Sequence, residues 1–199
     1  MRRWLIFLAF IGCASVADPR TPEGAHARVH QLLSANDYRT LYGMLAVGVK
    51  NDFQNYIDST RRAADLIRQS YPDGMKYSGL QSLTLPLPQF ALRLEDVEGD
   101  IPVDSLFSIF CRGILHDADL QMTPLRSLGL SVMTVDRISN GEARVHTLGQ
   151  DAILYHLESD GVWRTEALFG KPFREMADVS AANLSVIRQN IRVYADSAR

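Results

Sequence analysis

His146 and His156 sit in the stretch NGEARVHTLGQDAILYHLESDGVWRTEALF, at the same parity as Arg144, Glu158, Arg164 and Glu166. An imidazole or carboxylate of this set could serve as a general base if the residues lined a pocket. On alternating strands the same side chains form a cross-strand charge lattice on a polar sheet face, and the spacing favours this second role. A hairpin turn at Gly149-Gln150 would set His146 roughly opposite position 153, so His156 is displaced along its strand and need not touch it.

His26 and His30 are i, i+4 on a helical stretch, a spacing that can place two imidazoles on one metal. A third ligand is not evident, and Glu23 lies before the helix. The sequence also lacks the Glu that a zincin helix places after its first His. Both histidines are therefore expected as exposed polar residues, with no metal. Asp119, Asp136 and Asp151 are carboxylates available by type, yet turns and strand edges account for them. The nucleophile elbow, the P-loop and the dinucleotide fingerprint are absent, so no cofactor is expected and no catalytic residue is assigned. Gly141, Gly149 and Gly161 read as hairpin glycines.

The elements that must position these residues follow from periodicity. A helix is predicted from about Ala25 to Leu33, and a second, capped by Asp37, carries Tyr38, Leu41, Tyr42 and Leu45. A long amphipathic helix over Asn51–Ser70 has Asn51 or Asp52 as its cap, with Arg61, Arg62, Asp65 and Arg68 facing out. Tyr71-Pro72-Asp73-Gly74 reads as its terminating turn. Leu83 to Phe90, broken by Pro86 and Pro88, reads as an edge strand or extended loop. Asp104 or Ser105 opens a helix that buries Cys111.

From Ser131 the period changes from about 3.6 to 2. Four strand-length runs, Ser131–Ser139, Glu142–Leu148, Asp151–Glu158 and Val162–Phe169, are separated by hairpin signals and give an antiparallel meander. Alternation puts Met133, Val135, Ala143, Val145, Ile153, Tyr155, Leu157, Trp163, Ala167 and Phe169 on an apolar face. Thr134, Asp136 and the charged set named first lie opposite. Trp163, beside a turn on the apolar face, is expected to be a structural anchor. A last helix is predicted over Asp178–Asp196. The fold class is thus α+β: N-terminal helices packed on a C-terminal four-stranded antiparallel meander, plus a C-terminal helix.

The 199 residues, 46% apolar and 22% charged, suit one domain with a core of its own. Net charge is −2, lysine occurs only at Lys50, Lys76 and Lys171, and no element gathers a basic stripe; nucleic acid is not an expected partner. The chain starts with Arg2 and Arg3, an apolar run from Trp4 to Ile11, and small residues from Gly12 to Ala17, the layout of a secretory leader. Residues 1–17 are read as that leader, 18–24 as a Pro- and Gly-bearing tether, and 25–199 as a single domain. Whether the leader is cleaved before Cys13 or before Asp18, Cys111 has no partner for a disulfide, because Cys13 is modified or removed.

Phe10-Ile11-Gly12-Cys13 resembles a bacterial lipobox, which implies a lipid-modified Cys13 and a membrane anchor. Ser15-Val16-Ala17 offers the alternative of ordinary cleavage before Asp18, leaving a soluble periplasmic or secreted protein. Ala14 after the Cys resembles lipoproteins sent to the outer membrane of Gram-negative bacteria. Two further passages, SANDYRTLYGMLAVGVKNDFQNYI and the strand region quoted first, resemble the nuclear transport factor 2-like, or cystatin-like cone, group in its secreted and lipoprotein forms. That resemblance implies a helix-covered cone. One expectation is a non-catalytic exported envelope protein that binds a small apolar ligand or a protein partner. The alternative is an isomerase or dehydratase using a pocket carboxylate or His. Oligomeric state is left open.

Overall fold

A computed structural model of the chain describes residues 17–83, 92–116, 132–147 and 152–197. The leader with Cys13, the proline-bearing stretch 84–91, Asp119, the Gly149-Gln150 turn and Asp151 lie outside the described residues. In chain order the elements are α1 (Pro22–Ser34), α2 (Tyr38–Gly43), α3 (Val47–Ser70), α4 (Asp73–Leu83), α5 (Leu94–Glu98), α6 (Val103–His116), β1 (Val132–Ser139), β2 (Glu142–Thr147), β3 (Ile153–Leu157), β4 (Trp163–Thr165) and α7 (Gly170–Ser197). The four strands form one antiparallel sheet in the order β1-β2-β3-β4. The protein is α+β, with helices first, a four-stranded meander, and a closing helix.

Local chemistry explains where the helices begin. Thr21 caps α1 by accepting the Gly24 N–H at 3.0 Å, and Pro22 occupies the first turn, where a missing N–H costs nothing. The segment expected to be a tether is therefore partly built into the domain. Its Pro19 carbonyl also accepts the Trp163 N–H at 2.9 Å. After α1 the chain reverses through Asn36 at φ 54, a left-handed conformation that Asn tolerates, and Asp37 caps α2 by accepting from Thr40 at 3.1 Å.

Several boundaries differ from the periodicity reading. α3 starts at Val47, ahead of Asn51, with no cap from its own preceding residue Ala46. Pro72 forces Tyr71 into an extended conformation and ends α3, but Asp73 at once opens α4 instead of completing a turn. Gly79 lets α4 lie close on α3, since a Cβ there would sit 3.1 Å from Ile67 and 3.2 Å from the Tyr71 ring. β4 stops at Thr165, whose hydroxyl donates to the Leu154 carbonyl at 2.7 Å and accepts the Ala167 N–H at 3.1 Å, turning the chain out of the sheet. α7 can then begin at Gly170, well before Asp178.

α1 packs across the apolar side of β1, β2 and β4, while α3 and α7 run side by side in the same direction. Phe53 faces Phe173 near their starts, and Tyr71 meets Asn190 and Tyr194 near their ends. At 24 and 28 residues these helices are about 36 and 42 Å long, so they outreach the sheet. Two apolar clusters result: a large one joining α1, α2, α3, α6, the sheet and the start of α7, and a smaller one around Ala64, Ile67, Tyr71, Leu83, Leu184 and Ile187.

The apolar sheet face needs amendment. Ala143, Val145, Ile153, Tyr155 and Trp163 are buried as the alternation requires. Met133 is not: it falls at a register irregularity between Val132 and Thr134 and is 62% exposed. Leu157 at the end of β3 is 39% exposed, and Ala167 lies exposed beyond β4, where Leu168 is buried in its place. Arg61 also departs from the expected outward-facing set, donating to the carbonyls of Val97, Gly99 and Ile101. No helix of the described residues is long and apolar enough to cross a membrane.

Candidate functional site

The residues singled out in sequence separate into three places. On the outer face of the sheet, β2 carries Glu142, Arg144 and His146. Register sets Glu142 opposite His156, Arg144 between Asp136 and Leu154, and His146 opposite Thr134. His146 Nε2 lies 2.8 Å from Asp136 Oδ2, and His156 Nδ1 lies 3.4 Å from Glu142 Oε1. Position 153 pairs with Val145, so the two imidazoles sit at opposite ends of β2, about 13 Å apart along the strand. They form two separate, partly exposed His–carboxylate pairs with Arg144 exposed between them.

Arg164 keeps the expected parity, since register pairs it with His156, but its side chain and that of Glu158 turn to the sheet edge and bond each other, which corrects their expected place in an exposed lattice. Arg164 is nearly buried, at 8% exposure. Its Nε donates to the Gly43 carbonyl at 2.9 Å, its Nη1 to Glu158 at 2.8 Å, and its Nη2 to Asp160 at 2.7 Å. The second oxygen of Glu158 accepts the Val47 N–H at 2.6 Å. This is the missing cap of α3: a carboxylate from the β3–β4 turn meets the positive end of the helix dipole. The Arg164 guanidinium holds the Asp160 carboxyl far below the usual carboxylate range, and Arg164 is raised in turn. Burial, with Arg164 close by, lowers the ammonium pKa of Lys50 at the same junction. The turn closes through Gly161 at φ 77, a conformation that favours glycine. Glu166 lies past the end of β4 and reaches Arg174 of α7 at 3.7 Å.

The third place is interior. His26, expected on the surface, is fully buried between α1 and the sheet, where its Nδ1 lies 3.0 Å from the Tyr155 hydroxyl. The His30 ring is 4.8 Å from that of His26, and His30 Nε2 is buried with no hydrogen-bond partner among the described residues. Burial pushes the Tyr155 hydroxyl well up from its ordinary value. The signal for this pair was present in sequence: a tyrosine on an apolar face needs a partner for its hydroxyl, and His26 shares a helix face with Val29. Among the described residues no three His, Cys, Asp or Glu side chains group as metal ligands.

Trp163 is 3% exposed, within the large cluster. Behind it the core is filled by rings: Phe53, Phe107, Phe110, Phe169 and Phe173 have centroid separations from 4.7 to 6.1 Å. Phe169 holds a left-handed φ of 64, strained for a bulky residue and retained because its ring stacks on Phe173 at 5.2 Å. Cys111 is buried beside this group, and burial pushes its thiol pKa well up.

No family model, curated protein or solved structure matches the chain.

Proposed function

We propose that this chain is a non-catalytic module of the bacterial cell envelope, exported by its leader and held at the outer membrane through acyl chains on Cys13. Its work is to bind a protein partner on the outer sheet face around Arg144, His146 and His156. The leader residues support export, and several acyl chains on one terminus would exceed the threshold for stable anchoring. In the same proposal the chain is taken, on its helices-then-meander order alone, as a member of the nuclear transport factor 2-like group.

One observation carries the binding reading: the groups best suited to catalysis are occupied in holding the fold together. Glu158 caps α3 and pairs with Arg164, while the space behind the sheet is packed with phenylalanine rings. The outer face, by contrast, presents an exposed Arg144 and two partly exposed histidines on adjacent strands. An enzyme of the isomerase or dehydratase type would use His26 and Tyr155, which meet with His30 alongside on the inner side of the sheet. Both are fully buried, so a substrate could not reach them without opening α1.

Membrane fractionation of cells making the native chain tests the anchor, with mass spectrometry of the mature N-terminus. Cys13→Ser should release the protein from the membrane fraction; Asp18 as the first residue would overturn the anchor. Affinity capture of the native chain tests the partner, which Arg144→Glu should release and Glu166→Ala should not.

A further inference from the structure

We infer that α7 pairs antiparallel with the α7 of a second copy of this chain through a valine seam on its outer surface. This rests on α7 alone and is independent of the proposed function.

The inner side of α7 is already satisfied, with Phe173, Met176, Leu184 and Ile187 buried. A second apolar row runs along the same helix facing away. Val179, Val186 and Val193 recur at the heptad interval and are 43%, 54% and 54% exposed. Ala182 and Gln189, also exposed, occupy the complementary positions of the same repeat. Nothing local favours three valines there, because β-branched residues lose side-chain freedom in a helix, a cost that only burial of their apolar surface offsets. β-branched residues at one heptad position and small or polar ones at the other are what a two-helix seam uses.

Charge selects the occupant and its direction. The row just before the valines is Asp178, Ser185 and Arg192, again at heptad spacing and all exposed. The described ion pairs of α7 involve Lys171 and Arg174, so neither Asp178 nor Arg192 has an internal partner among the described residues. In an antiparallel pair this row faces its own copy in reverse. Asp178 then meets Arg192 of the second chain at each end, with Ser185 near the two-fold axis. In a parallel pair the row would face Asn183, Asn190 and Ser197, which offer no opposite charge. A sequence that reads acid, neutral, base is complementary to itself only when reversed, and this points to a second copy.

The seam spans two heptads, about 21 Å, and covers less than the roughly 800 Å² per partner of a standard interface. Self-association should therefore be weak and concentration-dependent. Sedimentation velocity of the full chain carrying Cys13→Ser, from low to high micromolar concentration, should show a monomer–dimer equilibrium. Asp178→Arg and Arg192→Asp should each raise the dissociation constant about tenfold, and the double swap should restore it. Val186→Asp should abolish the dimer with an unchanged thermal melt. In the same background Ser185→Cys should form an interchain disulfide and Val179→Cys should not. A monomer throughout, a dimer indifferent to these changes, or crosslinking through Val179→Cys would each overturn the inference.

Discussion

Glu158 and Val47 are 111 residues apart in sequence and are joined at 2.6 Å, a carboxylate oxygen on the first N–H of a 24-residue helix. The other oxygen of the same carboxylate is 2.8 Å from Arg164, and the pair is largely withdrawn from solvent, at 16% and 10% side-chain exposure. Removing one member of such a pair leaves the other charge poorly compensated and the helix end uncapped. Glu158→Ala should cost about 3–5 kcal/mol in urea unfolding, and Glu158→Gln, which can still accept from Val47, should cost less. Glu166→Ala, removing an exposed and distant ion pair, should stay within about 0.5 kcal/mol. Equal losses at positions 158 and 166 would show that the clasp does not hold the sheet to α3.

Asp160 gives the clasp a pH signature. Its carboxyl is held far below the ordinary range, first by its hydrogen bond from Arg164, so its folded-state pKa is depressed relative to the unfolded chain. The sign follows: the stabilisation is fully present above the unfolded value, near 4, and is lost as pH falls towards the folded value. The margin by which the native chain exceeds Asp160→Asn should therefore be constant from neutrality to about pH 5 and shrink below about pH 4. Unfolding midpoints at a series of pH values would show it. A margin unchanged down to pH 2 would separate Asp160 from the acid limb.

Trp163 belongs to the part of the fold that was legible in sequence. Period-2 alternation and the turns Asn140-Gly141 and Ser159-Asp160-Gly161 act over a few residues, so strand order and most of the buried face could be read directly. Trp163→Ala should cost about 3–5 kcal/mol by thermal or urea unfolding. Loss below about 1 kcal/mol would mean the surrounding rings collapse into its place.

The candidate site was less legible, for a physical reason. Arg164 has the right parity for an outward lattice, but its destination is the carbonyl of Gly43, set by how α2 and α3 meet the edge of β4. Composition near Arg164 carries no trace of that contact. Asp73 misled in the opposite way: Pro72-Asp73-Gly74 has turn chemistry, yet the same Asp favours a helix start and pairs with Lys76 at 2.7 Å. Local rules permitted both outcomes, and packing of α4 on α3 chose one.

Cys111 offers a check on the packing of α6. It is 1% exposed and its thiol pKa is raised by burial, so its thiolate is disfavoured at neutral pH. In the Cys13→Ser background a thiol reagent should titrate no cysteine in the native protein and one after denaturation. Rapid labelling of the native chain would mean that α6 opens readily from the aromatic cluster.

His26 and Tyr155 supply the sharpest test of the interior. Their contact at 3.0 Å joins α1 to β3 across a fully buried apolar layer, with the rings edge-on at 6.0 Å. Tyr155→Phe removes the hydroxyl from His26 Nδ1 while preserving shape, and should cost about 1–3 kcal/mol in urea unfolding. His26→Leu leaves the hydroxyl of Tyr155 buried without its imidazole and should cost a similar amount, whereas the double variant should lose less than the two single losses together. His146→Ala, on the solvent side of the same sheet, should change stability by no more than about 0.5 kcal/mol. Strict additivity of the two interior substitutions would mean that the His26–Tyr155 bond contributes nothing to docking α1 on the sheet.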